Sequence, residues 1–285
     1  MQPEQHSAFA LNISGKLLTL DTPLVMGILN ATPDSFYAGS RCGESDEAIV
    51  ARAGEILDEG GTIIDIGACS TRPGAGEVSP EEEWRRMEQA LSLVRRHYPD
   101  AIVSVDTFRA EIARRSVEQY GAQIVNDISG GEMDDKMFDT VAALHVPYIL
   151  THMRGTPQNM QEHTRYDDLM AEITARFAER IDRLRRLGVC DIVLDPGFGF
   201  GKSLNGNYTL LRRLGELQAF GLPLLAGMSR KSMIYNLLGC TPRESLNGTT
   251  ALHAIALLHG AKILRVHDVR EAVETIKIVT KTQTA

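Results

Sequence analysis

Polar and ionisable residues stand repeatedly at the ends of short apolar runs in this chain, where a strand would give way to its loop. Asn30 closes LVMGILN, Asp106 closes IVSVD, Asn126 sits in IVND, Asp195 closes IVLD, and Lys231 follows LLAGMSR. Arg265 and His267 share the run ILRVH, and with one residue between them they fall on the same side of an extended strand end. Carboxylates and amides beside an ammonium and a guanidinium can both accept from and donate to a flat polar ring, and they can hold an anion. Each residue also has a plainer reading. A carboxylate after a strand caps helices, Asn30 alone reads as a turn residue, and His267 alone as a satisfied histidine near a helix start. Asp195 precedes Pro196 and a glycine-rich stretch, where capping explains little. Recurrence along the whole chain favours one active site assembled from many strand ends.

The elements needed to carry such a site are legible in the hydrophobic pattern. Strands are expected at 24–29, 63–68, 102–106, 123–128, 147–153, 192–195, 223–228 and 262–266. Helical spacing lies between them at 46–60, after Ser79-Pro80, at 110–120, 134–144 and 166–187, and again at 269–279. Strand and helix alternate about eight times without a linker, which favours an α/β fold, a (β/α)8 TIM barrel, over an open doubly wound sheet. Residues 9–20 alternate loosely around Ser14-Gly15-Lys16, as a short N-terminal β-hairpin would, and could plug the bottom of the barrel. The chain is therefore read as a single domain, 1–285, and its 285 residues at 43% hydrophobic content suffice for one large core. No surface helix shows an apolar patch that would mark a subunit contact.

Composition narrows the function classes. Thirty basic against 37 acidic residues give a net charge of −7, which argues against nucleic acid and anionic membrane surfaces as partners. Any anion must be held by a local basic cluster. The first residues lack the basic start and apolar core of a signal peptide, and no apolar stretch approaches a membrane span, so a cytoplasmic protein is expected. Four dispersed cysteines without a CxxC pair suggest reduced thiols rather than zinc or disulfides. Two motifs mislead. Gly201-Lys202-Ser203 looks like the end of a phosphate-binding loop, but Pro196 stands where its first glycine should be; the same stretch has Lys202 in place of the third glycine of a dinucleotide fingerprint. No HExxH occurs among the eight histidines, and His97, His145, His253 and His259 read as surface or helix residues.

Taken together, NATPDSF, DIGACSTRPGAGE, SVDTFR, VNDISGG, THMRGTPQNMQ, LDPGFGFGK, SRKSM and RVHDV resemble the successive motifs of dihydropteroate synthases. The resemblance implies a homodimeric barrel of folate biosynthesis, a sulfonamide target. It would join 6-hydroxymethyl-7,8-dihydropterin pyrophosphate to p-aminobenzoate, giving 7,8-dihydropteroate and pyrophosphate. It makes Asp106, Asn126, Asp195 and Lys231 the pterin contacts, with Ile128 and Met153 as apolar walls and Gly227 leaving room for the ring. Arg265 and His267 would hold the pyrophosphate, and Asn30 would be the direct protein contact to Mg²⁺. Thr71, Arg72, Pro73, Phe200 and Ser229 would form the aminobenzoate pocket, with Lys231 between the two substrates and Phe36 capping the site against water.

Two positions depart from the family's pattern. The first loop has Tyr37-Ala38 where an aspartate usually follows, and Cys69 stands where a glutamate is frequent. Two other readings stay open: a pterin-binding methyltransferase of the methyltetrahydrofolate type, which would not need Arg265, His267 and the STRPG loop, and a catalytically silent pterin-binding homologue.

Overall fold

The computed structural model describes residues 9–32, 45–69 and 78–285. Phe36, Ala38, Thr71, Arg72 and Pro73 lie outside the described residues. Two antiparallel strands come first, β1 (Ala10–Ile13) and β2 (Lys16–Thr19), joined by a turn in which Ser14 and Gly15 both take positive φ. Eight parallel strands follow: β3 (Leu24–Asn30), β4 (Ile63–Gly67), β5 (Ile102–Asp106), β6 (Ile124–Asp127), β7 (Tyr148–Thr151), β8 (Ile192–Asp195), β9 (Leu224–Ala226) and β10 (Ala261–Val266). They form a closed barrel in chain order, the seam being the pairing of β10 with β3.

Alternation along each strand sorts side chains to two faces. One set, including Val25, Ile64, Val103, Val125, Leu150, Leu194 and Leu264, packs outward into the layer of helices. The other begins with Met26, Ile63, Ile124, Ile149, Val193, Leu225 and Ile263, which fill the interior at one end together with Leu11, Ile13 and Leu20. The hairpin thus seals the amino-terminal end of the barrel, as its apolar alternation implies. Every strand-borne residue expected in the site, from Asn30 on β3 to His267 beyond β10, lies two or four positions past a residue of this sealed layer. They share the inward face and stack toward the carboxyl ends of the strands.

The outer layer comprises α1 (Asp46–Asp58), α2 (Pro80–His97), α3 (Ala110–Tyr120), α4 (Met137–Leu144), α5 (Leu169–Arg186), α6 (Leu204–Arg212), α7 (Ser232–Leu238), α8 (Leu246–Leu258) and α9 (Val269–Thr284). Caps account for where several begin. Ser79 accepts from Glu82 N with Pro80 in the first turn, and Asp168 accepts from Met170 N and Ala171 N, so α5 starts after Tyr166 rather than at it. Asp134 lies outside α4 because its carboxylate takes Lys136 N and, across the fold, Ala110 N at the start of α3. Helices α6 to α8 occupy stretches where the apolar pattern gave no bounds. Leu237 and Leu238 on α7, Ile255 and Leu258 on α8 and Ile278 on α9 are exposed on helices that pack in succession.

Candidate active site at the mouth of the barrel

The centre of the site is an ion-pair network that closes across the strands. Arg265, from β10, donates through Nε to Asp65 Oδ2 and through Nη2 to Asp106 Oδ2, each at 2.6 Å. Asn126 Nδ2 donates to the same Asp65 oxygen at 3.1 Å. Asp65 was not among the residues singled out in the sequence, although it lies on the inward face of β4 two residues after Ile63, where a carboxylate in an otherwise apolar strand is costly unless paired. Burial works against the Arg265 charge, but Asp65 and Asp106 outweigh it and raise its proton affinity. Burial pushes Asp106 up to about 7, against the pull of Arg265. Arg265, expected at the pyrophosphate, is thus also tied to the floor that would meet the ring.

On the opposite side, Asp195 Oδ1 accepts from Gly197 N at 2.8 Å, and burial raises its proton affinity. A side chain at position 227 would bring a Cβ to within 3.6 Å of Asp195 Oδ2, so Gly227 keeps that carboxylate uncovered. Lys231 donates to Phe198 O at 2.6 Å, and its ammonium lies 4.3 Å from the centroid of the Phe200 ring. Burial lowers it to about 8, with Asp195 and Asp106 opposing. Ile128 and Met153 are buried, each four positions past a residue of the sealed layer, Ile124 and Ile149. Asp65 Oδ1, Ser104 Oγ and Thr151 Oγ1 are buried on the inward face without a hydrogen-bond partner, which leaves polar capacity at the floor. Together these groups fit a flat heterocycle rich in N–H donors and ring acceptors.

His267 and Ser229 meet directly: Ser229 Oγ lies 3.0 Å from His267 Nδ1 and accepts from His267 N at 3.1 Å. Burial and the cations Arg265 and Arg52 depress the imidazole to about 3, so it is neutral near pH 7 and serves as a hydrogen-bonding group. Arg52 was not anticipated. It is buried on α1, donates to Ile28 O and His267 O, and so ties β3 to the end of β10. Asn30 is half-buried at the tip of β3, and Gly67, its partner on β4, has room for a Cβ 3.4 Å from Asn30 Oδ1 and 3.7 Å from Asp106. No group of three or more acidic, histidine or cysteine residues among the described residues could hold a metal ion. A single amide oxygen suits Mg²⁺ when phosphate oxygens and waters supply the remaining ligands, so Asn30 fits that ion.

Of the expected residues, the structure brings together Asn30, Asp106, Asn126, Ile128, Met153, Asp195, Phe200, Gly227, Ser229, Lys231, Arg265 and His267; Phe36, Thr71, Arg72 and Pro73 are not described. Cys69 faces Arg109, whose Nη1 lies 3.6 Å from the sulfur, while Arg109 pairs with buried Glu83. Burial raises the thiol to about 11, so it is a neutral neighbour. Arg230, inside the SRKSM motif, is buried and bonded to Asp268, Pro242 O and Arg243 O, a brace rather than a ligand group.

An inward-facing floor of carboxylates and amides under a cationic rim, in a closed eight-stranded barrel, defines a pterin-binding enzyme, and the family model described as "Pterin binding enzyme" matches residues 26–267. Dihydropteroate synthase of Escherichia coli (strain K12) is 45% identical over 273 residues, 95% of each chain. A Yersinia pestis dihydropteroate synthase with a bound sulfonamide drug superposes with a TM-score of 0.91 at 42% identity, covering 97% of this chain and 99% of that one. The Xanthomonas albilineans enzyme with 4-aminobenzoic acid gives 0.87 at 39% identity, covering 98% and 100%. The chain belongs to the dihydropteroate synthase family.

Proposed function

We propose that this enzyme is a transferase that condenses 6-hydroxymethyl-7,8-dihydropterin pyrophosphate with p-aminobenzoate by dissociative substitution at the pterin methylene. The observation that carries the reading is the inward set of buried Asp65, Asn126 and Asp195 with partly buried Asp106 and Lys231, which matches the donors and acceptors of a pterin edge. Asp106 and Asp195 hold the ring, and their negative charge favours the cation that develops on the methylene as the C–O bond breaks. Arg265 and neutral His267 stand at successive inward positions of one strand end and donate to the departing pyrophosphate. Mg²⁺ held by Asn30 and phosphate oxygens would supply further charge neutralisation there. Lys231 lies between ring and arylamine, and Phe200 and Ser229 are on the aminobenzoate side. The resemblance assigns Thr71, Arg72 and Pro73 to that pocket and Phe36 to its cover. No residue acts as a nucleophile, because the arylamine itself attacks the carbocation.

The partners in this reading are the two small substrates, with sulfonamides competing for the aminobenzoate side, and a second copy of the chain. Exposed aliphatic side chains on α7, α8 and α9 support a homodimer through those helices. No helix among the described residues is long and apolar enough to cross a membrane, and work in the cytoplasm is part of this reading. Pyrophosphate release on mixing both substrates with Mg²⁺ tests the reaction. Methyl transfer from methyltetrahydrofolate without pyrophosphate release would replace this reading with the methyltransferase one, and binding without either reaction would leave a silent homologue.

A further inference from the structure

The loop after β8, PGFGFG, is gripped carbonyl by carbonyl. Lys202 Nζ donates to Gly197 O at 2.9 Å and to Phe200 O at 3.0 Å; Lys231 Nζ takes Phe198 O, Gln161 Nε2 takes Gly199 O at 3.3 Å, and Tyr166 Oη takes Gly201 O at 2.8 Å. Five consecutive carbonyls are each met by a side chain, where loop carbonyls more commonly face water. Lys202 is buried, and its ammonium also meets His152 Nδ1 at 3.1 Å and His152 O at 3.3 Å, so it bolts the loop to the end of β7. The fit is close on both sides. Gly197, at φ +70°, would put a Cβ 2.0 Å from His152 O, and Gly201, at φ +60°, would put one 2.9 Å from Arg154 O. Burial lowers Lys202 to about 7 and His152 to about 2, so the imidazole is neutral.

This reverses the logic of the phosphate-binding loop that GKS imitates. There, backbone N–H groups and the lysine point at an outside anion; here the lysine is turned inward onto its own loop's carbonyls and is spent on holding them. What that loop presents to the mouth is the Phe200 ring, set against Lys231. We infer that Lys202, with His152 and Tyr166, is a positioning residue that fixes Phe200 against Lys231 and thereby shapes the aminobenzoate side of the site. The inference rests on the proposed assignment of Phe200 to that side.

The test is steady-state kinetics of pyrophosphate release with each substrate varied in turn. Lys202→Met is expected to raise KM for aminobenzoate about tenfold and KM for pterin pyrophosphate, whose Asp195 contact shares the loop through Gly197 N–H, no more than about threefold, with kcat within about twofold. Equal losses for both substrates, or a fall confined to kcat, overturn the inference. Tyr166→Phe removes the Gly201 anchor and the hydroxyl's contact with Arg154 but keeps the buried lysine; it is expected to raise the same KM about threefold, and an unchanged KM overturns the inference even if Lys202→Met does not fold. In a Lys202→Met/Phe200→Leu cycle, the double variant is expected to be no worse than Phe200→Leu alone, and additive effects show that the lysine does not act through the ring. An unchanged aminobenzoate KM in Phe200→Leu strikes the assignment of Phe200, and the inference with it. A wild type without pyrophosphate release fails the proposed reaction itself, a separate result.

Discussion

Asp65 is the residue on which the two halves of the site depend, because one oxygen receives both Arg265 Nε and Asn126 Nδ2. Asp65→Asn removes the charge and sets an amide against two donors. Unfolding in urea is expected to show a loss of about 1–3 kcal/mol, the cost of weakening the bonds to a partly buried guanidinium that keeps Asp106. Calorimetry with pterin pyrophosphate is expected to show weakened binding in the same variant, and unchanged affinity would remove Asp65 from the account of recognition. Lys231 makes a pH prediction. Its value of about 8 means that the ammonium is mostly present at pH 7 and mostly lost at pH 9, so pterin affinity is expected to fall about tenfold across that span. Lys231→Met is expected to abolish the step. The same depression has the opposite sign for stability: the folded chain releases this proton before the unfolded chain does, so the group's contribution rises with pH from about 8 toward the ordinary lysine value. The positions of Asp106, Asn126 and Asp195 were legible because each ends an apolar run. Asp65 was not, since it sits inside one, and the anchoring role of Lys202 was not, because nothing local indicates that a lysine points inward.

At the level of elements, the hairpin made of β1 and β2 is separable from the chemistry. Leu11 is buried against the sealed layer at the amino-terminal end of the strands, at the opposite end from the rim residues. Leu11→Ala is expected to cost about 2–4 kcal/mol in denaturant unfolding while both KM values stay unchanged. A KM shift would show that the plug is coupled to the mouth. Barrel strands and the longer helices were legible because periods of two and 3.6 residues persist over enough length to be told apart. Helices α6 to α8 were not, since α7 has seven residues and α8 sets exposed Ile255 and Leu258 beside a buried stripe that includes polar Thr249 and His253.

For the molecule as a whole, exposed leucines on neighbouring helices predict self-association. Leu258→Asp is expected to shift sedimentation from dimer to monomer with the fold retained by circular dichroism, whereas an unchanged sedimentation coefficient would place the contact elsewhere. The seam of the barrel carries another consequence. Asn30 comes from the first barrel strand, while Arg265 and His267 come from the last strand and the residue after it, and these are neighbours only because β10 pairs with β3. A ribosome makes the amino-terminal part first, so the carboxylates of the floor are all synthesised before the guanidinium that pairs two of them and the strand that closes the barrel. Competence arrives at a single late moment of translation, and a message cut short before codon 265 would yield a ring-binding fragment at most, never a slow enzyme.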